Sequence, residues 1–243
     1  MNIAQNPNSE LSHFAVNTPQ VFEIPETFRE TARQFQEAMM QYSCAIREFK
    51  TKLEVLNDEL SMRNARNPID SIESGSPRRC SFSTILFGFF TLALIISMES
   101  NLDDIAGVRV ICSFVEDIYE ISRMLERQDD VTIIAIKDYI KAPKENGYRS
   151  YHMIVEVPVF FSSSKKNIRV EVQIRTIAMD FWASLDHQLK YKKQLDAQEA
   201  AEIGAELKKC ADVIAETDCK MLSIRQKIEE KHPMQEEYRD VNE

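Results

Sequence analysis

A chain of 243 residues with 44% apolar content can bury one good core and is short for two full domains. Its formal net charge of −9 argues against general affinity for long nucleic acid, which is held by clustered Lys and Arg. Five scattered cysteines (Cys44, Cys80, Cys112, Cys210, Cys219) without CxxC spacing indicate neither a disulfide framework nor a structural zinc site, and predict reduced, buried thiols.

Residues 1–24 form a polar segment rich in Asn and Ser, without the basic-then-apolar pattern of a secretory peptide. A flexible N-terminus and a cytoplasmic location are expected. Pro25 and Thr27 are helix-entry residues, and an apolar seam then runs from Phe28 through Phe35, Tyr42 and Phe49 to Leu60 in alternating four and three spacing. A long helix follows from that spacing.

Cys80 to Met98 is nineteen residues without a charge, bounded by Arg78, Arg79 and Glu99. Its length meets the criterion for a membrane span, but Ser and Thr interrupt its start and amphipathic segments lie on both sides. The readings left open are a membrane tether, a buried core segment, or a stretch rewritten by compensating frame changes.

Beyond it, Ala106–Phe114, Val131–Lys137, Tyr151–Val159 and Ile168–Arg175 have the β-branched content of strands, and Asp117–Arg127 has helical spacing. Three serines and Lys165-Lys166-Asn167 mark a hairpin-like turn between the last two strands, and Thr176 can cap a helix running through Trp182 and Leu189. The fold class is therefore α+β, a mixed sheet flanked by long N- and C-terminal helices. The C-terminal helix is read from Ile203, Leu207, Cys210, Ile214, Thr217, Met221, Ile224 and Ile228, whose seam can pack within the subunit or build an oligomer. The divisions expected are 1–24, a globular domain over 25–193 with an atypical apolar part at 74–98, and a C-terminal helix with an acidic tail over 194–243.

Charge is unevenly spread. Val131 to Lys193 carries eleven Lys and Arg against six Asp and Glu, whereas Gln194 to Glu243 carries seven against thirteen. A small polyanion is the ligand this suggests. In the strand over 168–175, Ile168, Val170, Val172 and Ile174 should face the core, leaving Arg169, Glu171, Gln173 and Arg175 on a polar face. A carboxylate, an amide and a guanidinium at ~6–7 Å intervals offer a metal or hydroxyl ligand, a sugar or base contact and a bidentate phosphate donor. An incidental charged strand face is the plainer alternative.

Four ordered blocks across 101–193 resemble the RelA/SpoT synthetase domain, and within it the small alarmone synthetases of the GTP pyrophosphokinase type. They are Asn101-Leu-Asp-Asp-Ile-Ala-Gly-Val-Arg-Val110, the block from Lys137 ending Lys144-Glu-Asn-Gly-Tyr-Arg-Ser-Tyr-His152, Glu171-Val-Gln-Ile-Arg-Thr176 and Phe181-Trp-Ala-Ser-Leu-Asp-His187. The resemblance implies a fold related to nucleotidyltransferases and transfer of pyrophosphate from Mg²⁺-bound ATP to the 3′-hydroxyl of GDP or GTP. It implies Asp104 and Glu171 as catalytic residues and metal ligands. Around the acceptor it implies Tyr148 stacked on guanine with Lys144, Asn146, His152 and Gln173 beside it, and Lys137, Arg175 and Arg109 on phosphates. Partners would be ATP and GDP or GTP, and the likeness suggests a homo-oligomer, commonly a tetramer. Alarmone hydrolysis is not expected, because the separate His-Asp metal domain has no counterpart here.

Three departures stand out. Tyr151 and Asp186 replace the usual Leu and Glu, mild changes for packing. More seriously, the family's basic ATP-gripping stretch is replaced by residues 74–98, whose basic residues are Arg78 and Arg79 alone. Those two are the candidate ATP contacts. The alternative function is a guanine-nucleotide-binding paralogue with an impaired donor side, with a membrane tether as its variant.

Overall fold

The computed structural model describes residues 26–64, 67–75, 106–190 and 196–232. Helix α1 (Glu26–Asn64) leads into strand β1 (Ile69–Gly75); then follow β2 (Gly107–Cys112), α2 (Val115–Glu126), β3 (Thr132–Asp138), β4 (Tyr151–Phe160), β5 (Lys165–Thr176), α3 (Ile177–Lys190) and α4 (Ala197–Lys231). The strands form one mixed sheet in the order β1-β2-β5-β4-β3, in which β2 and β5 are parallel and every other pair antiparallel. This is the expected α+β architecture.

Alternation places one face of each strand in the core. Val108 and Val110 of β2, Met153, Val155 and Val157 of β4, and Val170, Val172 and Ile174 of β5 are at most 1% exposed. The α1 seam lies on that face through Ile46, Phe49, Leu53 and Leu56, and α2 joins it through Ile118, Ile121 and Leu125. Lys52 of α1 also pairs with Asp130 in the turn before β3. Burial of this stripe, rather than helix propensity alone, accounts for an α1 of 39 residues.

Several expectations are corrected. Strand β1 was not expected: its sequence IDSIESG has two apolar residues and no clean alternation, and pairing with β2 at the sheet edge makes it a strand. Lys165, Lys166 and Asn167 belong to β5, opposite Phe160, Val159 and Pro158; the turn is tighter, closed by Phe161 N–H donating to Ser164 O. Pro158 is tolerated because the β3 ladder ends at Glu156, so it lacks no donor on that side. Cys112 is buried and Cys44 partly so, but Cys210 and Cys219 are exposed.

The C-terminal seam is corrected too. Leu207 and Ile214 pack inward, but α4 meets the body along Leu207, Ala211 and Asp218, while Ile203, Met221, Ile224 and Ile228 are 36–56% exposed. A strict heptad drifts about 20° per repeat around a straight helix, so a seam drawn that way leaves the buried face. Asp196 caps α4 by accepting from Gln198 N and Glu199 N, and Arg225 anchors its far half by donating to Glu116. Among the described residues no helix is long and apolar enough to cross a membrane; Cys80–Met98 lies outside them.

Candidate active site

The polar faces of the five strands form a single transverse row. Lys137 of β3 pairs with His152 of β4, His152 with Gln173 of β5, Gln173 with Arg109 of β2, and Arg109 with Glu73 of β1. Strand spacing of about 4.8 Å makes this row roughly 19 Å long. Glu171 and Arg175 flank Gln173 along β5 on the same side, so six of the expected site residues lie on one surface through register alone.

The loop between β3 and β4 folds over the row. Asn146 Oδ1 accepts from Tyr148 N at 3.2 Å, Gly147 N donates to Lys144 O at 2.8 Å, and Gly147 has φ +88°, a left-handed conformation that favours glycine. The turn sets Tyr148 edge-on to His152 with ring centroids 5.9 Å apart, and Lys144 Nζ lies 4.9 Å from the Tyr148 ring centre. Tyr139, unremarked in the sequence, completes the aromatic wall: it meets His152 at 5.2 Å and Tyr148 at 6.1 Å, with Lys144 Nζ 4.7 Å above its ring.

Beneath the wall runs a chain of hydrogen bonds. Arg175 Nη2 donates to Tyr148 Oη at 2.6 Å, Tyr148 Oη is 2.9 Å from His152 Nε2, and His152 Nδ1 is 2.9 Å from Glu171 Oε1. Since the guanidinium can only donate, assigning the tyrosine proton to His152 Nε2 leaves the imidazole proton on Nδ1, facing the carboxylate. Gln173 ties the ends together, donating to Glu171 Oε2 at 3.0 Å and accepting from Arg175 at 2.9 Å. Burial alone would raise the Glu171 carboxyl, but hydrogen bonds from His152 and Gln173 and the charge of Lys137 outweigh it and hold it below the ordinary value. Glu171 is thus a charged, mostly buried carboxylate with hard oxygen donors, the chemistry a divalent cation such as Mg²⁺ takes.

The two arginines occupy different settings. Arg175 is 5% exposed and engages its donors within the protein, reaching Ser150, Asp180, Tyr148 and Gln173. Arg109 is more open, paired with Glu73 at 3.3 Å and Asp180 at 3.6 Å. Asp180 on α3 therefore touches both guanidiniums, and neither it nor Glu73 is visible as a partner in a one-dimensional pattern. Ala106, the first described residue of the 101–110 block, accepts from Glu171 N at 2.8 Å. Asp104, Arg78 and Arg79 lie outside the described residues. Among the described residues no cluster of three metal-ligating side chains occurs.

Residues 92–196 match a family model described as a region found in RelA / SpoT proteins. The chain is 38% identical over 194 residues to GTP pyrophosphokinase YwaC of Bacillus subtilis, covering 79% of this chain and 90% of that protein. It is 32% identical to GTP pyrophosphokinase YjbM of the same organism, over 82% of this chain and 92% of that one. Small alarmone synthetase 1 of Bacillus subtilis, solved bound to its product pppGpp, superposes with a TM-score of 0.68 at 31% identity, over 82% of this chain and 99% of that one. With a sheet in register, an aromatic wall over a charged carboxylate and relatives matched over most of their length, the chain belongs to the RelA/SpoT family, among its small alarmone synthetases.

Proposed function

We propose that this chain is a (p)ppGpp synthetase, moving the β,γ-pyrophosphate of ATP to the ribose 3′-hydroxyl of GDP or GTP and releasing AMP. The observation that carries the reading is the connected pair of an aromatic platform, Tyr148, and a depressed carboxylate, Glu171, bridged by His152. A guanine ring stacks on Tyr148 with Lys144 and Asn146 beside it, an arrangement worth ~1–3 kcal/mol per base. Glu171, kept ionised, faces the ribose and takes the proton from its 3′-hydroxyl as that oxygen attacks the β-phosphorus. His152 and Gln173 hold the carboxylate in place, and Lys137 at the β3 end of the row and Arg109 on β2 meet phosphates. Arg175, buried under Tyr148, supports the platform and contributes positive charge beneath the acceptor phosphates.

Glu171 and Asp104, two residues before Ala106 in sequence, are the residues that would hold Mg²⁺. When bound, such an ion neutralises phosphate charge in the transferring group. Arg78 and Arg79 remain the proposed ATP contacts. The relatives' names favour this active reading over that of an impaired nucleotide binder. Assembly into a homo-oligomer, a tetramer by family likeness, is part of the same reading, supported by Met221, Ile224 and Ile228 lying half exposed along α4. A cytoplasmic location completes it.

The deciding experiment is AMP release from ATP with GDP or GTP and Mg²⁺, run with the wild type and Glu171→Ala. Turnover abolished by the substitution supports the reading. Binding of GDP without any turnover, or a rate indifferent to Glu171, refutes it. Light scattering of the purified chain reads the oligomeric state; a monomer at micromolar concentration refutes that part alone.

A further inference from the structure

Between the aromatic wall and α4 lies a contact that the proposed chemistry does not use. Arg149 follows Tyr148 directly, yet its side chain turns away from the nucleotide face. Nη1 donates to Gly147 O at 3.0 Å and to Ala211 O at 3.2 Å, and Nη2 donates to Asp212 Oδ1 at 2.9 Å. One guanidinium thus bridges the acceptor turn and α4, across 62 and 63 residues of sequence, while its side chain remains only 17% exposed. The Gly147 backbone presses on the same stretch: a Cβ built there would stand 2.6 Å from Ala211 Cβ and 3.3 Å from Lys208 Cα. Trp182, the chain's single tryptophan, closes the joint from α3 by donating to Leu207 O at 2.9 Å.

We infer that Arg149 is a positioning residue for the pyrophosphate-transfer reaction, seating the turn 144–148 on α4 so that the Tyr148 ring is presented to guanine in a fixed orientation. This rests on the reading of Tyr148 as the guanine platform. The physical reasoning is preorganisation. The turn carries a left-handed glycine and one Asx bond, and local bonds of that kind do not by themselves fix where a turn sits relative to the sheet. A charge-assisted fork to a long helix supplies that fixed point at the backbone, while Arg175 and His152 hold the Tyr148 hydroxyl, so the ring is set before the nucleotide arrives. Because Arg149 touches neither the catalytic row nor its phosphate-facing ends, its loss should be felt on the acceptor and not on ATP.

The test measures KM for GDP, KM for ATP and kcat on the full chain for Arg149→Ala, Arg149→Lys, Asp212→Ala and Tyr148→Ala, with GDP affinity by calorimetry and Tm for each variant. Arg149→Ala is expected to raise the GDP KM and Kd about tenfold, through the loss of the three bonds that seat the turn, with the ATP KM and kcat within about twofold. Asp212→Ala should act in the same direction but more weakly, because Ala211 O and Gly147 O still accept from the guanidinium. Arg149→Lys should recover part of the affinity, since an ammonium keeps the charge without the fork. The inference is overturned if Arg149→Ala and Asp212→Ala leave GDP binding intact while Tyr148→Ala weakens it. It is equally overturned if both KM values rise and kcat falls together with Tm, the mark of a merely structural contact. Should Tyr148→Ala itself leave GDP affinity unchanged, the platform reading falls first and takes this inference with it.

Discussion

His152 Nδ1 stands 2.9 Å from Glu171 Oε1, so the residue on β4 proposed for the acceptor nucleotide and the proposed base on β5 are one hydrogen-bonded unit. The bond, with the one from Gln173, holds the Glu171 carboxyl below its ordinary value against the opposing effect of burial. A group with a depressed folded value adds stability that is present above its unfolded value and lost as pH falls through its folded value. Because Glu171 must stay ionised to act, the acidic limb of activity should likewise lie below the ordinary glutamate range. Gln173→Leu removes one donor and should move that limb upward; a pH–rate profile that does not shift refutes the assignment of Glu171 as the group that must stay ionised.

Tyr148 combines two functions that substitution can separate. Tyr148→Phe keeps the ring but removes the hydroxyl that joins Arg175 to His152. It should retain guanine affinity within a fewfold and lower kcat instead. Tyr148→Ala removes the stacking face and should weaken GDP binding by roughly 5–150-fold, corresponding to ~1–3 kcal/mol. Equal GDP affinity in the two variants would falsify the stacking role.

Arg175 is a buried hub whose removal should cost stability before chemistry. Arg175→Met leaves Ser150 and Tyr148 each without that donor, and Asp180 with Arg109 alone, in a site that is 5% exposed at the arginine. A loss of roughly 2–4 kcal/mol is expected, discounted because Asp180 is partly open to water. Denaturant unfolding checks it, and a change below about 1 kcal/mol contradicts the hub reading.

Asp218 offers the opposite sign. Burial in α4 raises its carboxyl above the ordinary value, partly offset by the hydroxyl of Thr176, which donates to it at 2.5 Å. A raised folded value gives stability that is full below the unfolded value and lost as pH rises through the folded one. Ionised Asp218 thus weighs against the fold at neutral pH. Asp218→Asn keeps an oxygen for Thr176 and should raise Tm at pH 7, with the gain shrinking toward pH 4. A lower Tm at pH 7 contradicts this.

Sequence alone carried much of the fold, for reasons particular elements make plain. The alternation in β5 foretold both its core face and the order of Glu171, Gln173 and Arg175, because a period of two survives without knowledge of any partner. The Thr176 cap was legible as well, and the structure has Met179 N donating to its hydroxyl at 3.1 Å. Strand β1 was not legible, since an edge strand with Ser and Glu at alternate places acquires its state from β2. The burial of Arg175 was also missed: its packing depends on Ser150 and Asp180, which belong to different elements. Tyr139, Asp180 and Arg149 escaped notice for the same reason, as their significance lies in contacts across the fold. The α4 seam failed differently, through a heptad template applied where the buried face follows another line.

The order of strands has a consequence for how the molecule is made. Among the described residues β5 is the last strand along the chain, yet it lies at the centre of the sheet, with β2 on one side and β4 on the other. A growing chain that has reached Phe160 can pair β3 with β4 and β1 with β2, but these are two separate ribbons, each marginal by itself. Only β5 welds them, and it does so partly through a parallel pairing of long sequence separation, the slow kind of contact to form. Glu171, Gln173 and Arg175 ride on that strand. Closing the sheet and assembling the polar row are therefore a single folding event, and no intact sheet exists without its candidate site.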